Sequence, residues 1–311
     1  MSNLAGRPTV IIKGVLNRGV VLVVGLALML GLAAGVIFVR EQLFSSSDSV
    51  LEQDEQQLHE AILENPDDPD LRVAIANIYL QEKKYGEAIE QYNEALKADE
   101  NRQDALMGLG LAYREQGDRD QALAVFTKLI EVSKDSEFAD VDPGLEAVHY
   151  YLGEIYLQRN EPAKAVEELQ AALAIEPTDA DALDLLGNAL QAQGEYEGAV
   201  AIYAVATGLV PDFDEAYEGM AAAAEEVGDA STATYARAMI RLFSGDAETA
   251  VRDLAQVTED SPDNAAAYFG LGYGYEQLGQ RDKALAAYQQ AVEVDPSQYA
   301  ARSGVARLGG E

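Results

Sequence analysis

The sequence predicts an all-α protein in which a single N-terminal transmembrane helix is followed by a superhelix of antiparallel helix pairs. Two observations support this prediction. Residues 19–39 contain no charged side chain, and most of the remaining chain repeats one pattern of small and large residues with a period of 34 residues. One helix pair of this kind cannot bury its apolar face alone, so the pattern implies a stack of neighbouring pairs.

The first predicted element is the uncharged run over residues 19–39, GVVLVVGLALMLGLAAGVIFV. As an α-helix this run is about 31 Å long, which is enough to cross the hydrocarbon core of a bilayer. Arg7, Lys13 and Arg18 precede it, whereas one arginine and a strongly acidic tract follow it. This bias predicts a cytoplasmic N-terminus over residues 1–18 and an extracytoplasmic remainder. Small residues at 32–35 leave open a cleaved signal peptide, although the run is longer than the apolar region of most signal peptides.

Small residues recur every four positions within this run, at Ala27, Gly31 and Gly35. They share one helix face, and such a ladder allows two membrane helices to approach closely. The sequence therefore permits self-association through the transmembrane helix. The alternative is the ordinary glycine and alanine content of a membrane helix.

Residues 40–68 are predicted to form a linker and an N-terminal capping helix. The segment FSSSD at residues 44–48 is a short polar joint, and a helix is expected over about residues 50–64, ending at Asn65 and Pro66. Its position suggests that it covers the apolar end of the repeat array.

The clearest unit of the repeating pattern covers residues 265–298. Small residues at three positions allow its two helices to approach, and large residues fill the gaps between them. The residues that define the pattern are Tyr268, Leu271, Gly272, Tyr275, Ala284, Tyr288, Ala291 and Pro296. The unit resembles a tetratricopeptide repeat (TPR), a family with a period of 34 residues.

The resemblance extends over residues 69–298 and implies a TPR alpha-solenoid of about six repeats. These are assigned to residues 69–102, 103–136, 146–179, 180–213, 231–264 and 265–298. An insertion interrupts the pattern near 137–145, and the pattern is irregular over 214–264. A helix starting at residue 214 has either no partner or a partner at 232–243. An odd number of helices would exchange the inner and outer faces, so we expect an altered superhelix near residues 229–246. Residues 299–311 are predicted to form a C-terminal cap helix.

Composition and charge exclude several classes of function. The chain has 54 Asp and Glu against 22 Lys and Arg, a formal net charge of −32, and such a surface repels the phosphate backbone of nucleic acids. It has no cysteine, and its two histidines lie far apart without a recognisable catalytic constellation. Acidic pairs lack the ordered spacing of a calcium loop. The sequence therefore predicts a protein that is not an enzyme, with no cofactor and no metal site.

In the family that the chain resembles, the first helix of each repeat lines a concave groove, mainly through its second, fifth, ninth, twelfth and thirteenth positions. The groove candidates in this chain are Asn77, Met107, Leu111, Arg114, Tyr150, Glu154, Asp184, Asn188, Glu218, Phe269 and Tyr273. Some TPR proteins hold an acidic tail with lysine, asparagine and arginine at these positions, but here the lysines are missing. A protein or peptide with basic and apolar side chains complements the candidate set better. The alternative is that these residues only keep the protein soluble.

The sequence predicts a non-enzymatic, membrane-tethered protein-protein interaction scaffold or assembly factor on the extracytoplasmic side of a prokaryotic membrane. An alternative is a holdase-like accessory of the protein translocon that binds emerging polypeptides. An enzyme regulator is a third hypothesis, which is disfavoured because no catalytic or regulatory module accompanies the repeats.

Overall fold

The computed structural model describes residues 55–310. The predicted transmembrane helix at residues 19–39, with Ala27, Gly31 and Gly35, lies outside the described residues, and so does the linker up to residue 54. Within the described part, no helix is both long enough and apolar enough to cross a membrane.

Residues 55–310 form α-helices and one short 3₁₀ helix, with no strand among them. The α-helices are α1 (residues 55–64), α2 (Pro69–Gln81), α3 (Tyr85–Ala98), α4 (Gln103–Gln116), α5 (Arg119–Ser133), α6 (Pro143–Gln158), α7 (Pro162–Ile175), α8 (Ala180–Gln193), α9 (Tyr196–Leu209), α10 (Asp214–Glu226), α11 (Ala230–Phe243), α12 (Ala247–Asp260), α13 (Ala265–Gln277), α14 (Arg281–Val294) and α15 (Tyr299–Gly309). From α2 onward each helix packs against the next. The predicted all-α solenoid is therefore confirmed for this part of the chain.

The fourth repeat shows how local sequence fixes the ends of a helix. Asp179 caps α8, because its Oδ1 accepts hydrogen bonds from the backbone N–H groups of Asp181 and Ala182 at 2.9 and 3.1 Å. Gly194 ends the same helix with a φ of 80°, a left-handed conformation that glycine adopts without strain. The chain then turns directly into α9.

The ring of Tyr203 on α9 is inserted between two neighbouring helices that carry glycine at the contact. A Cβ atom built at Gly187 on α8 would lie 2.5 Å from this ring, and one built at Gly219 on α10 would lie 2.4 Å from it. No side chain fits at either position while Tyr203 stays in place. This contact identifies α9 as the second helix of its repeat, held between the first helices α8 and α10.

The predicted insertion loosens the stack between α5 and α6. It contains the 3₁₀ helix Ala139–Val141. Helix α6 begins at Pro143, before the predicted repeat start at residue 146, because Asp142 Oδ1 accepts a hydrogen bond from the N–H of Gly144 at 2.8 Å and proline suits the first turn. Helices α5 and α6 pack less closely than any other consecutive pair from α2 to α15.

Contacts between helices that are two apart in the chain join even-numbered helices in the first half of the solenoid and odd-numbered helices in the second half. Helix α2 contacts α4, α6 contacts α8 and α8 contacts α10, whereas further along α11 contacts α13 and α13 contacts α15. Among the described helices, no comparable contact joins α10 to α12. The positions of the tyrosine rings that pack between glycines show the same change from odd-numbered to even-numbered helices. Tyr288 on the even-numbered α14 lies between Gly272 on α13 and Gly304 on α15, with built Cβ atoms 2.6 Å from the ring on both sides.

The row of first helices therefore passes from the even-numbered helices to the odd-numbered ones at α10 and α11. Helix α10 packs on both α9 and α11, and one cluster of buried apolar side chains continues through this point from α7 to α14. Because successive helices alternate between two layers, the second row lies on the layer opposite to the first. We call the surface of α2, α4, α6, α8 and α10 the even face, and the surface of α11, α13 and α15 the odd face.

Candidate protein-binding faces

The structure divides the predicted groove residues between the two faces. On the even face lie Asn77, Met107, Leu111, Arg114, Tyr150, Glu154, Asp184, Asn188 and Glu218. Phe269 and Tyr273 belong to α13 and lie on the odd face. The structure does not bring these two groups into one groove, because the row of first helices changes layer between α10 and α11.

Tyrosines of the second helices hold the asparagines of the even face. The Tyr92 hydroxyl donates to Asn77 Oδ1 at 2.5 Å, and the Tyr203 hydroxyl donates to Asn188 Oδ1 at 3.0 Å. Asn188 also donates from Nδ2 to Asp184 Oδ2 at 3.0 Å. Burial raises the pKa of Asp184, while the hydrogen bond from Asn188 opposes this shift. Both asparagine side chains remain exposed to solvent.

Arg114, the one arginine among the groove candidates, is already paired. Its Nε donates to Glu154 Oε2 at 2.9 Å and its Nη1 donates to Glu115 Oε1 at 2.7 Å. Its guanidinium also lies over the ring of Tyr151, 4.5 Å from the ring centre. Arg114 therefore joins α4 to α6 across the insertion, and an acidic ligand would have to displace these partners to reach it.

The N-terminal part of the even face also contains an arginine that is paired with carboxylates of neighbouring helices. Arg102 pairs with Asp70 on α2 at 2.6 Å and with Asp104 on α4 at 2.7 Å. These hydrogen bonds from Arg102 lower the pKa of Asp104. Both carboxylates are exposed, so this end of the face carries a network of negative charge around one partly buried guanidinium.

The odd face encloses a cavity of about 620 Å³, and none of the described residues that line it is charged. One wall is built from the N-terminal halves of the three helices of this face. The side chains on this wall are Thr232 and Tyr235 of α11, Ala266 and Phe269 of α13, and Tyr299 and Ala300 of α15. Ligand cavities typically measure roughly 300–1,000 Å³, so this one is large enough for bulky side chains.

The opposite wall of the cavity comes from α9 and the turn after it, including Ala204, Gly208 and Pro211. Tyr217 and Met220 of α10 also line the cavity, and so do Asn264 and Gln298, which precede α13 and α15. The layer that contains α9, α11, α13 and α15 therefore curves far enough for α9 and α15 to border the same cavity.

A series of aromatic contacts supports the cavity from behind. The ring of Tyr217 is 6.1 Å from that of Tyr235 and 6.5 Å from that of Phe243, measured between ring centres. Phe243 lies 5.7 Å from Tyr273, which in turn stacks on Phe269 at 6.5 Å. Such ring pairs stabilise beyond their buried area, so the position of Phe269 in the lining is well supported.

The two histidines take part in local polar contacts. His149 Nδ1 lies 2.7 Å from Glu168 Oε2. His59 Nε2 lies 3.0 Å from the hydroxyl of Tyr79 and 3.6 Å from Glu55 Oε1. Across residues 55–310, no group of three or more histidine, aspartate or glutamate side chains is placed to hold a metal ion.

Comparison with family models identifies the repeats. Models described as tetratricopeptide repeat match residues 55–105, 73–138, 182–217 and 265–298, and a model described as TPR repeat matches residues 153–194. Together these ranges cover more than half of the chain. The chain is a tetratricopeptide repeat protein. Its repeats mediate protein-protein interaction.

Relatives of this TPR chain occur in both eukaryotes and bacteria. It is 26% identical over 275 residues to the Protein CTR9 homolog of Arabidopsis thaliana, which covers 78% of this chain and 24% of that protein. It is 23% identical over 237 residues to Anaphase-promoting complex subunit 3 of Schizosaccharomyces pombe, which covers 76% of this chain and 32% of that protein. It is 33% identical over 107 residues to the Type IV pilus assembly protein PilF of Pseudomonas aeruginosa, which covers 33% of this chain and 39% of that protein. The chain thus spans less than two fifths of the length of these curated relatives.

Among solved structures, the MamA RS-1 ArsTM double mutant resembles this TPR chain with a TM-score of 0.52 and 21% sequence identity. The alignment covers 58% of this chain and 97% of that one. A likeness at this level of identity supports the fold.

The cavity uses the groove positions of the TPR family, but on the face opposite to the earlier repeats. Thr232 and Tyr235 are the second and fifth residues of the repeat at 231–264, and Ala266 and Phe269 are the second and fifth of the repeat at 265–298. Repeat positions alone predict Phe269 but miss Gly208 on α9. The sequence contains one signal for the contribution of α9, the odd number of helices between residues 214 and 264. An odd number places the first helices that follow in the same layer as α9.

Proposed function

We propose that the chain is a membrane-tethered scaffold or assembly factor whose even face binds a segment of a partner protein on the extracytoplasmic side of a prokaryotic membrane. Two observations support this most directly. Met107, Leu111 and Tyr150 are only partly buried on the even face. Burial and the nearby carboxylate of Glu154 raise the pKa of the Tyr150 hydroxyl, so an apolar surface and a negative charge lie together. A segment with basic and apolar side chains complements this mixture.

The existing ion pairs favour a basic ligand over an acidic one. Arg102 and Arg114 already contact carboxylates of neighbouring helices. An acidic segment would have to break these pairs, whereas a basic segment can add to the exposed carboxylates of Asp104 and Glu218.

The membrane tether is proposed from the uncharged run at residues 19–39 and from the basic residues before it. The assembly role is supported by two relatives, a type IV pilus assembly protein and a subunit of the anaphase-promoting complex. The partner itself is defined here by its chemistry, a segment that combines basic and apolar side chains.

Photo-crosslinking in intact cells tests the proposal. A photoreactive amino acid replaces Tyr150 in the full chain, and a matched variant carries it at Gln170, an exposed residue on the second helix α7. We expect a discrete adduct with an envelope protein from position 150 and none from position 170. In parallel, protease is added to cells with an opened outer layer, and the repeats should be digested from the outside.

Other outcomes contradict the proposal in distinct ways. Equal adducts from both positions would remove the binding site from the even face. A broad smear of many clients from position 150 would favour the holdase-like accessory of the translocon. Repeats protected from external protease would place them in the cytoplasm and would overturn the proposed topology.

A further inference from the structure

We propose that the insertion between α5 and α6 forms a protein-binding surface of its own, which takes an apolar side chain from a partner segment that carries basic residues beside it. We call this surface the insertion site. It consists of the exposed side chains of Phe138 and Val141 and of the pocket next to them, and it lies outside the even face and the odd face. The inference goes beyond the proposed function, because it can hold whether or not the even face binds a partner.

Two large apolar side chains of the insertion are left in water. Phe138 is 69% exposed and Val141 is 66% exposed. Among the described residues, the large apolar side chains with a higher exposed fraction are Leu63 on α1 and Tyr299 on α15, the first and the last described helix. Apolar surface that is exposed in the middle of the solenoid is therefore particular to the insertion, and such surface indicates an interaction site.

The backbone of the insertion holds these side chains in defined positions. The N–H of Ala139 donates to the carbonyl oxygen of Ser136 at 3.2 Å, and the N–H of Val141 donates to that of Phe138 at 3.0 Å. Ser136 Oγ accepts a further hydrogen bond from the N–H of Phe138 at 3.3 Å, and the 3₁₀ helix contacts α7. A partner would meet a segment that is already ordered, so binding would not carry the entropic cost of ordering it.

A pocket of about 410 Å³ lies beside the insertion. It is bordered by the C-terminal ends of the second helices α5 and α7, by the N-terminal half of α6 and by Ala139 of the 3₁₀ helix. Its described lining is apolar except for Lys134 and His149. Ligand cavities typically measure roughly 300–1,000 Å³, so this pocket has room for one leucine or phenylalanine side chain.

This pocket is distinct from the groove of the TPR family. None of the described residues that line it occupies the second, fifth, ninth, twelfth or thirteenth position of a repeat. It lies where α5 and α6 pack less closely than any other consecutive pair from α2 to α15. The pocket therefore depends on the insertion and not on the repeat pattern.

The two lining residues that can carry a positive charge are already paired. Lys134 Nζ forms an ion pair with Glu131, one helical turn before it. His149 Nδ1 lies 2.7 Å from Glu168 Oε2. An acidic group of a partner would have to displace one of these carboxylates to reach a cation in the described lining.

Carboxylates also surround the exposed ring of Phe138. Residues 131–142 contain five Asp and Glu and one Lys. Asp135 and Glu137, which precede Phe138, are both exposed to solvent. This excess of negative charge favours basic residues next to the apolar anchor of the occupant.

The same charges argue against a second copy of this chain and against an anionic bilayer as the occupant. Two insertion sites placed against each other would bring like charges together, which disfavours association. Anionic lipid headgroups attract basic segments and repel acidic ones. We therefore assign the insertion site to a segment of a different protein.

Exposed side chains allow the site to be changed without disturbing the core. Ala174 is exposed and lines the pocket, so Ala174→Phe should fill it. The matched control is Ala201→Phe, at an exposed alanine of the second helix α9 that does not line the pocket. Phe138→Ser removes the exposed ring, and its control is Leu63→Ser on α1, where the side chain is 82% exposed. Helicity and thermal unfolding of all four variants should match those of the natural chain.

The test uses the full chain in phosphatidylcholine nanodiscs and three labelled peptides, GKKSGLSGKKG, GKKSGASGKKG and GEESGLSGEEG. The first two differ in the apolar anchor, and the third reverses the charge. We expect the lysine–leucine peptide to bind to the natural chain, to Ala201→Phe and to Leu63→Ser, and to bind less tightly as salt is added. Alanine in place of leucine, Ala174→Phe or Phe138→Ser should each weaken binding by about tenfold, because the anchor no longer buries its side chain. The glutamate peptide should bind more weakly than the lysine–leucine peptide.

Several outcomes would overturn the inference. Equal binding of the leucine and alanine peptides, or unchanged binding to Ala174→Phe, would show that the pocket takes no anchor. Tighter binding to Phe138→Ser would show that this ring covers the pocket and does not contact a partner. A mass in light scattering that doubles with concentration and falls back in Phe138→Ser would assign the surface to a second copy of the chain.

The even-face adduct from position 150 separates this result from the proposed function. The adduct should persist in Ala174→Phe, because the pocket and Tyr150 belong to different surfaces. Its loss in that variant would mean that the insertion site and the even face act as one site, which contradicts the inference.

Discussion

Arg114 on α4 and Glu154 on α6 form an ion pair across the insertion, with Nη2 and Oε2 2.9 Å apart. Helices α5 and α6 pack loosely at this point, so side chains of other helices help to join the two parts of the solenoid. The guanidinium adds a second contact by lying over the ring of Tyr151. A residue that repeat positions assign to ligand binding therefore also has a structural role.

Replacing Arg114 by Lys should destabilise the fold. Lysine keeps the charge but loses the planar group that contacts Glu154 and covers the ring of Tyr151. We expect the free energy of unfolding to fall by about 1 kcal/mol. The matched control is Arg237→Lys, whose more exposed pair with Glu225 joins α10 to α11 and should contribute little. Urea unfolding measures both variants, and equal effects would contradict a special role for Arg114.

Replacing Gly219 by Ala should be destabilising although the change is small. The added Cβ would lie 2.4 Å from the ring of Tyr203, so either α10 or the ring must move. Overpacking of this kind costs about 1–3 kcal/mol. The control Gly86→Ala adds a methyl group where nothing lies within 4 Å, and it should raise stability by up to about 1 kcal/mol through helix propensity. Two variants that shift the urea midpoint in the same direction would refute this packing argument.

Stability should fall as the pH rises from about 5 to about 8 because of Glu146. Burial, together with a hydrogen bond to Asp179 and its charge, raises the pKa of Glu146 to about 7. A carboxyl group with a raised pKa stabilises the fold below its unfolded pKa of about 4.5, and this contribution is lost as the pH rises through about 7.

The variant Glu146→Gln removes the titrating group. It should abolish about 1–2 kcal/mol of this pH dependence and be more stable than the natural chain at about pH 8. The matched substitution Glu167→Gln, at an exposed position of α7, should leave the dependence in place. Urea unfolding at several pH values measures it, and an unchanged slope in Glu146→Gln would show that another group is responsible.

A second loss of stability is expected in alkali, from the buried tyrosines. Burial raises the pKa of Tyr92 to about 12, while a tyrosine in the unfolded chain titrates near about 10. Its contribution is therefore present below about pH 10 and is lost as the pH rises towards about 12. Replacing Tyr92 by Phe should remove about 1 kcal/mol of the decline between about pH 9 and about pH 11. Ultraviolet titration of tyrosinate checks the assignment, and an equal decline in the variant would contradict it.

Most of the solenoid could be predicted from sequence because each repeat depends on its own residues. Gly272 is one of the small residues that the repeat pattern assigns to close packing, and a Cβ atom built there comes within 2.6 Å of the Tyr288 ring. Gly110 on α4 has the same role, since a Cβ atom built there comes within 2.3 Å of the Phe126 ring. The start of α6 lies at Pro143 and not at residue 146, where the repeat pattern predicts it, because Asp142 and Pro143 begin the helix inside the insertion. A cap of this kind depends on a few side chains that no repeat pattern includes.

The candidate site was harder to predict because it depends on how the repeats accumulate. Tyr150 and Phe269 occupy equivalent positions of their repeats, yet they lie on opposite faces. Which face a position reaches depends on the number of helices before it, and the irregular residues 214–264 hide that number. Tyr299 and Gly208 meet at one cavity only because α9 and α15 curve towards each other, which is a property of the assembled stack.

The change of layer at α10 also affects how two ligands could share this molecule. A solenoid of constant curvature has one concave surface, and two long ligands would compete for it. Here the two rows of first helices lie on opposite layers, so the two faces are separated by two layers of helices, or about 20 Å. Ligands held at that distance without overlap would experience each other at a local concentration in roughly the millimolar range. Segments bound on the two faces would therefore not compete for one concave surface.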